Sequence, residues 1–218
     1  LIGDPHSVIN VAVSGGRRVV ASPWRHLVAQ GGLLLDVAIH ELYLLEMLLG
    51  PIRTVSAVAQ RVWDHREWTG ADGYKEEMAV DAPDAFAATL TFASGVHGVW
   101  VFNHAATVGS QRQRTILGTG GTLSGPGARS GLAVSVVLGG HTLSDAELVN
   151  ELPAYRLNNI ETRLFGERPG SYSLSGPETD RKLIAAEVAD FVDAIRDGRA
   201  PEVDGETGLR TLAVAYAV

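Results

Sequence analysis

Gly31-Gly32-Leu33-Leu34-Leu35-Asp36-Val37-Ala38-Ile39-His40 is an apolar run interrupted by two ionisable side chains four residues apart. The pattern predicts a helix over residues 33–49, stopped by Gly50-Pro51. On such a helix Asp36 and His40 share one face, one turn apart. The surrounding Leu, Val and Ile residues call for burial, so both groups need a partner or a purpose there. Two readings follow from the spacing. One is a structural ion pair inside the core. The other is a general acid/base, with the carboxylate fixing the tautomer of an imidazole that handles a substrate hydroxyl. The Gly31-Gly32 turn allows a ligand close approach and leaves helix amides directed at it. Arg25, just upstream, is a candidate for substrate contact, or else for a surface salt bridge.

Outward from this segment the chain reads as consecutive strands with helices at both ends. Residues 6–14 form a β-rich run ending at Gly15-Gly16, and residues 53–63 alternate as a second strand. Residues 64–81 are polar and charged, which predicts a flap outside the core. Residues 85–92 and 96–103, joined by Ala93-Ser94-Gly95, predict a β-hairpin. Strands are expected at 114–117, 122–123 and 132–138, and a short helix near 144–152. Thr179 or Asp180 is expected to cap an amphipathic helix with Leu183, Ile184, Val188, Phe191, Val192 and Ile195 along one side. A last helix starts near Asp204 or Gly205. This order implies an α+β fold: a large, open, mostly antiparallel (mixed) sheet with helices packed on one face.

The formal charge of −7 and the absence of a basic stripe argue against nucleic acid. There is no cysteine, which excludes a disulfide scaffold or thiolate chemistry and agrees with a reducing cytoplasm. Asp36, His40, Glu41 and Glu46 break the longest apolar runs short of the ~18–20 residues of a membrane span. No signal peptide is evident. A start at Leu1 and a stop at Val218 inside a helical pattern suggest one domain, residues 1–218, cut at both ends.

Other chemistry is less well supported. His40-Glu41 is followed by Leu44 rather than a second histidine, so the zinc-protease pattern fails, and His97 and His104 are scattered; no metal is expected. Gly118-Thr119-Gly120-Gly121 lacks the third glycine of a dinucleotide loop, since Leu123 stands there, and a strand-to-strand turn fits better. Phosphate-loop and nucleophile-elbow motifs are absent. Trp24, Trp63, Trp68, Trp100 and Tyr74 are candidates for an aromatic wall against a sugar, or for core.

From Trp24-Arg25 through His40 the chain resembles the Gfo/Idh/MocA family of nicotinamide-dependent oxidoreductases, departing from its glycine pattern at Gln30 and Ala38. Glu187 to Pro201 and Asp204 to Arg210 are similar to that family's closing helices. Residues 60–80 and 139–177 match nothing that anchors them. The resemblance implies the carboxy-terminal substrate-binding and oligomerisation domain, with the N-terminal Rossmann domain missing. It implies Asp36 and His40 as two members of a catalytic Lys/Asp/His set, with Trp24, Arg25 and Gly32 on the substrate side. The lysine and the cofactor loop belong to the missing half: neither Lys75 nor Lys182 matches. The intact enzyme is expected to use NAD or NADP on a sugar, polyol or inositol-like alcohol, whereas this fragment is expected to bind no cofactor and to be inactive alone. A homo-oligomer is implied through a sheet face carrying Ala88, Leu90, Val134 and Val136. A non-catalytic binding or dimerisation module that keeps the fold is the rival reading; a small metal hydrolase would need a third ligand beside His40.

Overall fold

The computed structural model describes residues 1–107, 109–125, 131–167 and 169–218. In chain order the elements are β1 (Pro5–Val13), α1 (Ile39–Leu49), β2 (Ile52–Gln60), β3 (His65–Thr69), β4 (Lys75–Ala79), β5 (Ala85–Phe92) and β6 (His97–Asn103). Then follow β7 (Gln111–Gly118), β8 (Gly121–Gly125), β9 (Ser135–Leu138), β10 (His141–Thr142), α2 (Asp145–Glu151), α3 (Asn159–Phe165), α4 (Gly176–Asp197) and α5 (Gly205–Tyr216). The fold is α+β with a mixed sheet. The chain divides into two compact units, His6–Gln113 with Leu209–Val218, and Leu1–Pro5 with Arg114–Gly208. Among the described residues no helix is long and apolar enough to cross a membrane.

In the first of these units β1 runs parallel to β6, and β5 is antiparallel to both β6 and β2. The register places Asn10 level with Trp100 and Ala88, with Val8 level with Gly98 and Leu90. This face is covered: Val8, Asn10, Ala88, Leu90, Trp100 and Phe102 are all at most 5 % exposed. Gly98 is required there, because a Cβ would run into Val8 on the neighbouring strand. α1 lies on this face through Leu42, Leu45 and Leu49, at the i, i+3, i+7 spacing of one helical stripe. Its buried Glu46 accepts the Ile52 amide at 3.0 Å and the Thr211 hydroxyl at 2.6 Å, tying β2 and α5 to the helix.

The opposite face, carrying Ile9, Val58, Ala87, Thr89 and Val99, is open. Ala88, Leu90 and Val136, expected on an apolar pairing face, are buried instead. Strict alternation along a strand hides every second residue, and the inward set in β5 is the even-numbered one.

The 64–81 stretch also departs from expectation. It forms the β3–β4 hairpin, and Arg66 within it is fully buried. A buried guanidinium is tolerable only when its charge and donors are matched. Here Nη2 donates to Asp84 Oδ2 at 2.8 Å and to the His104 carbonyl at 3.0 Å, and Nη1 to the carbonyls of Gly16 and Arg18, both at 2.9 Å. Asp84, 1 % exposed, also accepts the amides of Val62 and Trp63.

In the second unit β7, β8, β9 and β10 follow one another antiparallel. Gly118-Thr119-Gly120-Gly121 is the turn from β7 to β8, as expected. α2 and α3 each begin with a complete capping box, Ser144/Glu147 and Asn158/Glu161. α4 starts a turn earlier than Thr179, because Ser175 accepts the Glu178 amide and Pro177 occupies the first turn. Thr179 and Ala194 face inward, while Ile184, Val188, Phe191, Val192 and Ile195 are each more than half exposed. The inward side of α4 is therefore its small-residue side.

Candidate active site

The predicted site residues all lie in the unit His6–Gln113. Pro23–His26 forms a short 3₁₀ turn ending in an extended Leu27, and Val28–Gln30 forms another, closed by Gly31 at φ 94°. Gly32 follows at φ 64°, buried with the Cβ of Ala82 only 3.0 Å from where its own would stand. Close packing against Ala82 and a positive φ thus account for the glycine.

The expected helix starts irregularly. Leu34–Ala38 makes one π-helical turn and α1 continues from Ile39. Such a turn carries one residue more than an α-turn and recurs at functional sites. Asp36 lies in this turn and His40 in the first turn of α1. Asp36 is bound by Arg25, whose Nε donates to Oδ2, rather than by His40. Arg25 also donates to Ser22 Oγ at 2.6 Å, and its guanidinium stacks over the Trp24 ring at 4.6 Å. Arg25 and Asp36 are each about a quarter exposed, and Trp24 is 39 % exposed. His40 is exposed and has no hydrogen-bond partner among the described residues. The structure therefore assembles Trp24, Arg25 and Asp36 into one polar platform, with an open imidazole on the same helical segment.

Two buried histidines support the platform. His26 accepts the Val20 amide at Nε2 (2.9 Å), and its carbonyl accepts the amides of Asp81 and Ala82. Burial lowers its pKa to about 4, with Arg66 and His104 adding to the effect. His104 stacks on Phe102 at 4.6 Å and meets Ser14 Oγ at 3.2 Å. Burial, then Arg112 and Arg66, lower it likewise to about 4. Both rings are neutral near pH 7. Since their folded pKa lies below the ordinary 6.5, the unfolded chain takes up protons first as pH falls. The part of the stability that rests on these two neutral rings is full above pH 6.5 and is lost between there and about pH 4. Urea titrations at pH 7, 5.5 and 4.5 are expected to show a falling midpoint, and His104→Phe a shallower fall. Equal slopes in the two proteins would refute the assignment.

The sequence reading missed Asn10, Glu41, Arg66, Asp84, His26, His104 and Arg112. For Asn10 a signal existed, a lone amide at an inward position between Val8 and Ala12. Arg66 lies in a charged stretch and offers none. Among the described residues no group of three or more His, Asp or Glu side chains is arranged to hold a metal. His97 is on the surface beside Ser7, away from such a role.

A family model described as the GFO/IDH/MocA C-terminal domain matches residues 1–124. The chain belongs to that family. No curated protein gives a significant match. Among solved structures, an NAD binding oxidoreductase from Klebsiella pneumoniae is 28 % identical with a TM-score of 0.72, matched over 100 % of this chain and 56 % of its own. Levoglucosan dehydrogenase, solved with NADH and levoglucosan, is 20 % identical (TM-score 0.69; 100 % and 56 % covered). The WlbA dehydrogenase from Bordetella pertussis, solved with NADH and UDP-GlcNAcA, is 20 % identical (0.63; 100 % and 54 %). The chain thus spans a little over half the length of these relatives.

Proposed function

We propose that the 218 residues act as the substrate-side domain of an NAD(P)-dependent oxidoreductase working on a sugar, polyol or inositol-like alcohol. The observation that carries this reading is the exposed His40, four residues along the same helical segment from the Arg25–Asp36 pair. Arg25 N–H groups and the second carboxylate oxygen of Asp36 offer a donor and an acceptor side by side, which suits vicinal hydroxyls. The exposed Trp24 ring adds an apolar face for a sugar ring. His40 takes the proton of the alcohol at a ring nitrogen, and returns it in the reverse direction. When bound, the nicotinamide supplies the hydride chemistry. It would be held by a Rossmann domain outside these residues, since the chain's one glycine cluster of dinucleotide type joins two strands. The relatives solved with NADH and a carbohydrate support this choice of substrate class.

In this reading Asp36 holds Arg25 in place over Trp24 rather than pairing with His40. The open face of Val58, Ala87, Thr89 and Val99 is the surface through which copies of the enzyme would pair, in a reducing cytoplasm suited to a chain without cysteine. The rival, a non-catalytic module, would gain support from a His40–Asp36 pair plugged by neighbouring side chains; His40 is exposed, while Asp36 pairs with Arg25 instead of with it.

The test is a titration of the chain with NADH, NADPH and a panel of polyols, read by calorimetry and NMR. Polyols are expected to shift resonances of Trp24, Arg25, Asp36 and His40, with neither nicotinamide bound. Micromolar NADH binding, or polyols leaving those resonances unmoved, would refute the reading.

A further inference from the structure

Asn10 stands in the middle of β1, 1 % exposed, on the face that α1 covers. A carboxamide there has no water to bind and needs a protein partner. Its Nδ2 donates to Glu41 Oε2 at 3.4 Å. Glu41 is itself only 8 % exposed, and its Oε1 takes Arg112 Nη1 at 3.4 Å. One carboxylate in the first turn of α1 is thus held by two strands, β1 and β7, at the residue after His40 and just beyond the π-turn.

A π-turn is where a helix can lose or gain a residue of register. Absorbing its extra residue would rotate the following helix by about 100°. The apolar stripe Leu42, Leu45 and Leu49 selects one rotation only in part, because Tyr43, Leu44, Met47 and Leu48 make the other sides of α1 apolar as well. A buried carboxylate that takes the buried Asn10 amide and the Arg112 guanidinium is directional, and buried polar groups are best attested as setters of register. We propose that Asn10, Glu41 and Arg112 form a pin that fixes the rotation of α1 and keeps the π-turn in place, which makes Glu41 a positioning residue for His40. The pin stands on geometry; its service to catalysis rests on the function proposed above.

The test compares Glu41→Leu, Glu41→Gln and Arg112→Met in the 218-residue chain, read by the NMR resonances of Leu34–Ala38 and of the His40 ring. Glu41→Leu and Arg112→Met are expected to move both sets. Glu41→Gln keeps one acceptor oxygen, enough for Asn10 or Arg112 but not both, and is expected to move the resonances less than Glu41→Leu. Unmoved resonances in Glu41→Leu would overturn the pin. Should that variant not fold, unmoved resonances in Arg112→Met, whose side chain is largely exposed, would do the same. In the intact enzyme the displaced imidazole is expected to lower kcat about 10- to 100-fold with little change in KM. Moved resonances with unchanged kcat would leave the pin standing and remove His40 from the chemistry.

Discussion

Asp84→Ala is expected to destabilise the unit His6–Gln113 by about 3–5 kcal/mol, the cost of leaving one partner of a buried ion pair alone. Arg66 and Asp84 are 0 % and 1 % exposed, so neither can turn to solvent once the other is gone. The loss extends beyond the charge, because the Val62 and Trp63 amides both donate to the same carboxylate. Asp84→Asn keeps one acceptor oxygen, able to take one of those amides, and is expected to lose less. The double variant Arg66→Met/Asp84→Leu removes both charges and is expected to recover only the charge part of the loss, since the Val62 and Trp63 amides and the carbonyls of Gly16, Arg18 and His104 lose their partners. Urea unfolding of the three proteins measures this directly. A loss below about 1 kcal/mol for Asp84→Ala, within the range of a surface pair, would mean the pair is solvated in solution. Arg66 also holds the carbonyls of Gly16, Arg18 and His104.

His40→Ala in the intact enzyme is expected to lower turnover by about 10²–10⁴-fold, the usual contribution of a general acid/base. Cofactor affinity is expected to stay nearly constant, because the function proposed above puts the imidazole on the substrate side, away from the phosphates and ribose. The exposed position of His40 makes the substitution mild for folding, so lost activity would not reflect a lost structure. Arg25→Ala is a useful companion. It frees Asp36 from its partner and is expected to raise KM for polyols more than it lowers kcat, since it removes a binding contact rather than a proton carrier. Turnover of His40→Ala within threefold of the parent, in enzyme shown to be folded, would exclude the imidazole from proton transfer.

Much of the architecture was legible because it follows from local periodicity. Alternation in residues 85–103 produced the β5–β6 hairpin, and the i, i+3, i+7 leucines produced α1. Gly50, at φ 88°, ends that helix where the glycine-proline pair predicted a stop. The start of α4 was misplaced by a turn because Gly176 and Pro177 disguise a serine cap. Which face of β5 is covered was also misread, since period 2 separates two faces without saying which one meets a helix.

The candidate site divides along the same line. That Asp36 and His40 share one helical segment, with Trp24, Arg25 and a Gly-Gly turn ahead of it, was determined by the sequence alone, through spacing and turn chemistry. That Asp36 pairs with Arg25 across eleven residues, leaving His40 open, was decided only by the tertiary structure. The same holds for Asn10 reaching Glu41 across 31 residues and Arg66 reaching Asp84 across 18. The reason is physical: propensity and periodicity act over a few neighbouring residues, whereas the partner of a buried charge is whichever opposite group the folded backbone brings within hydrogen-bonding distance.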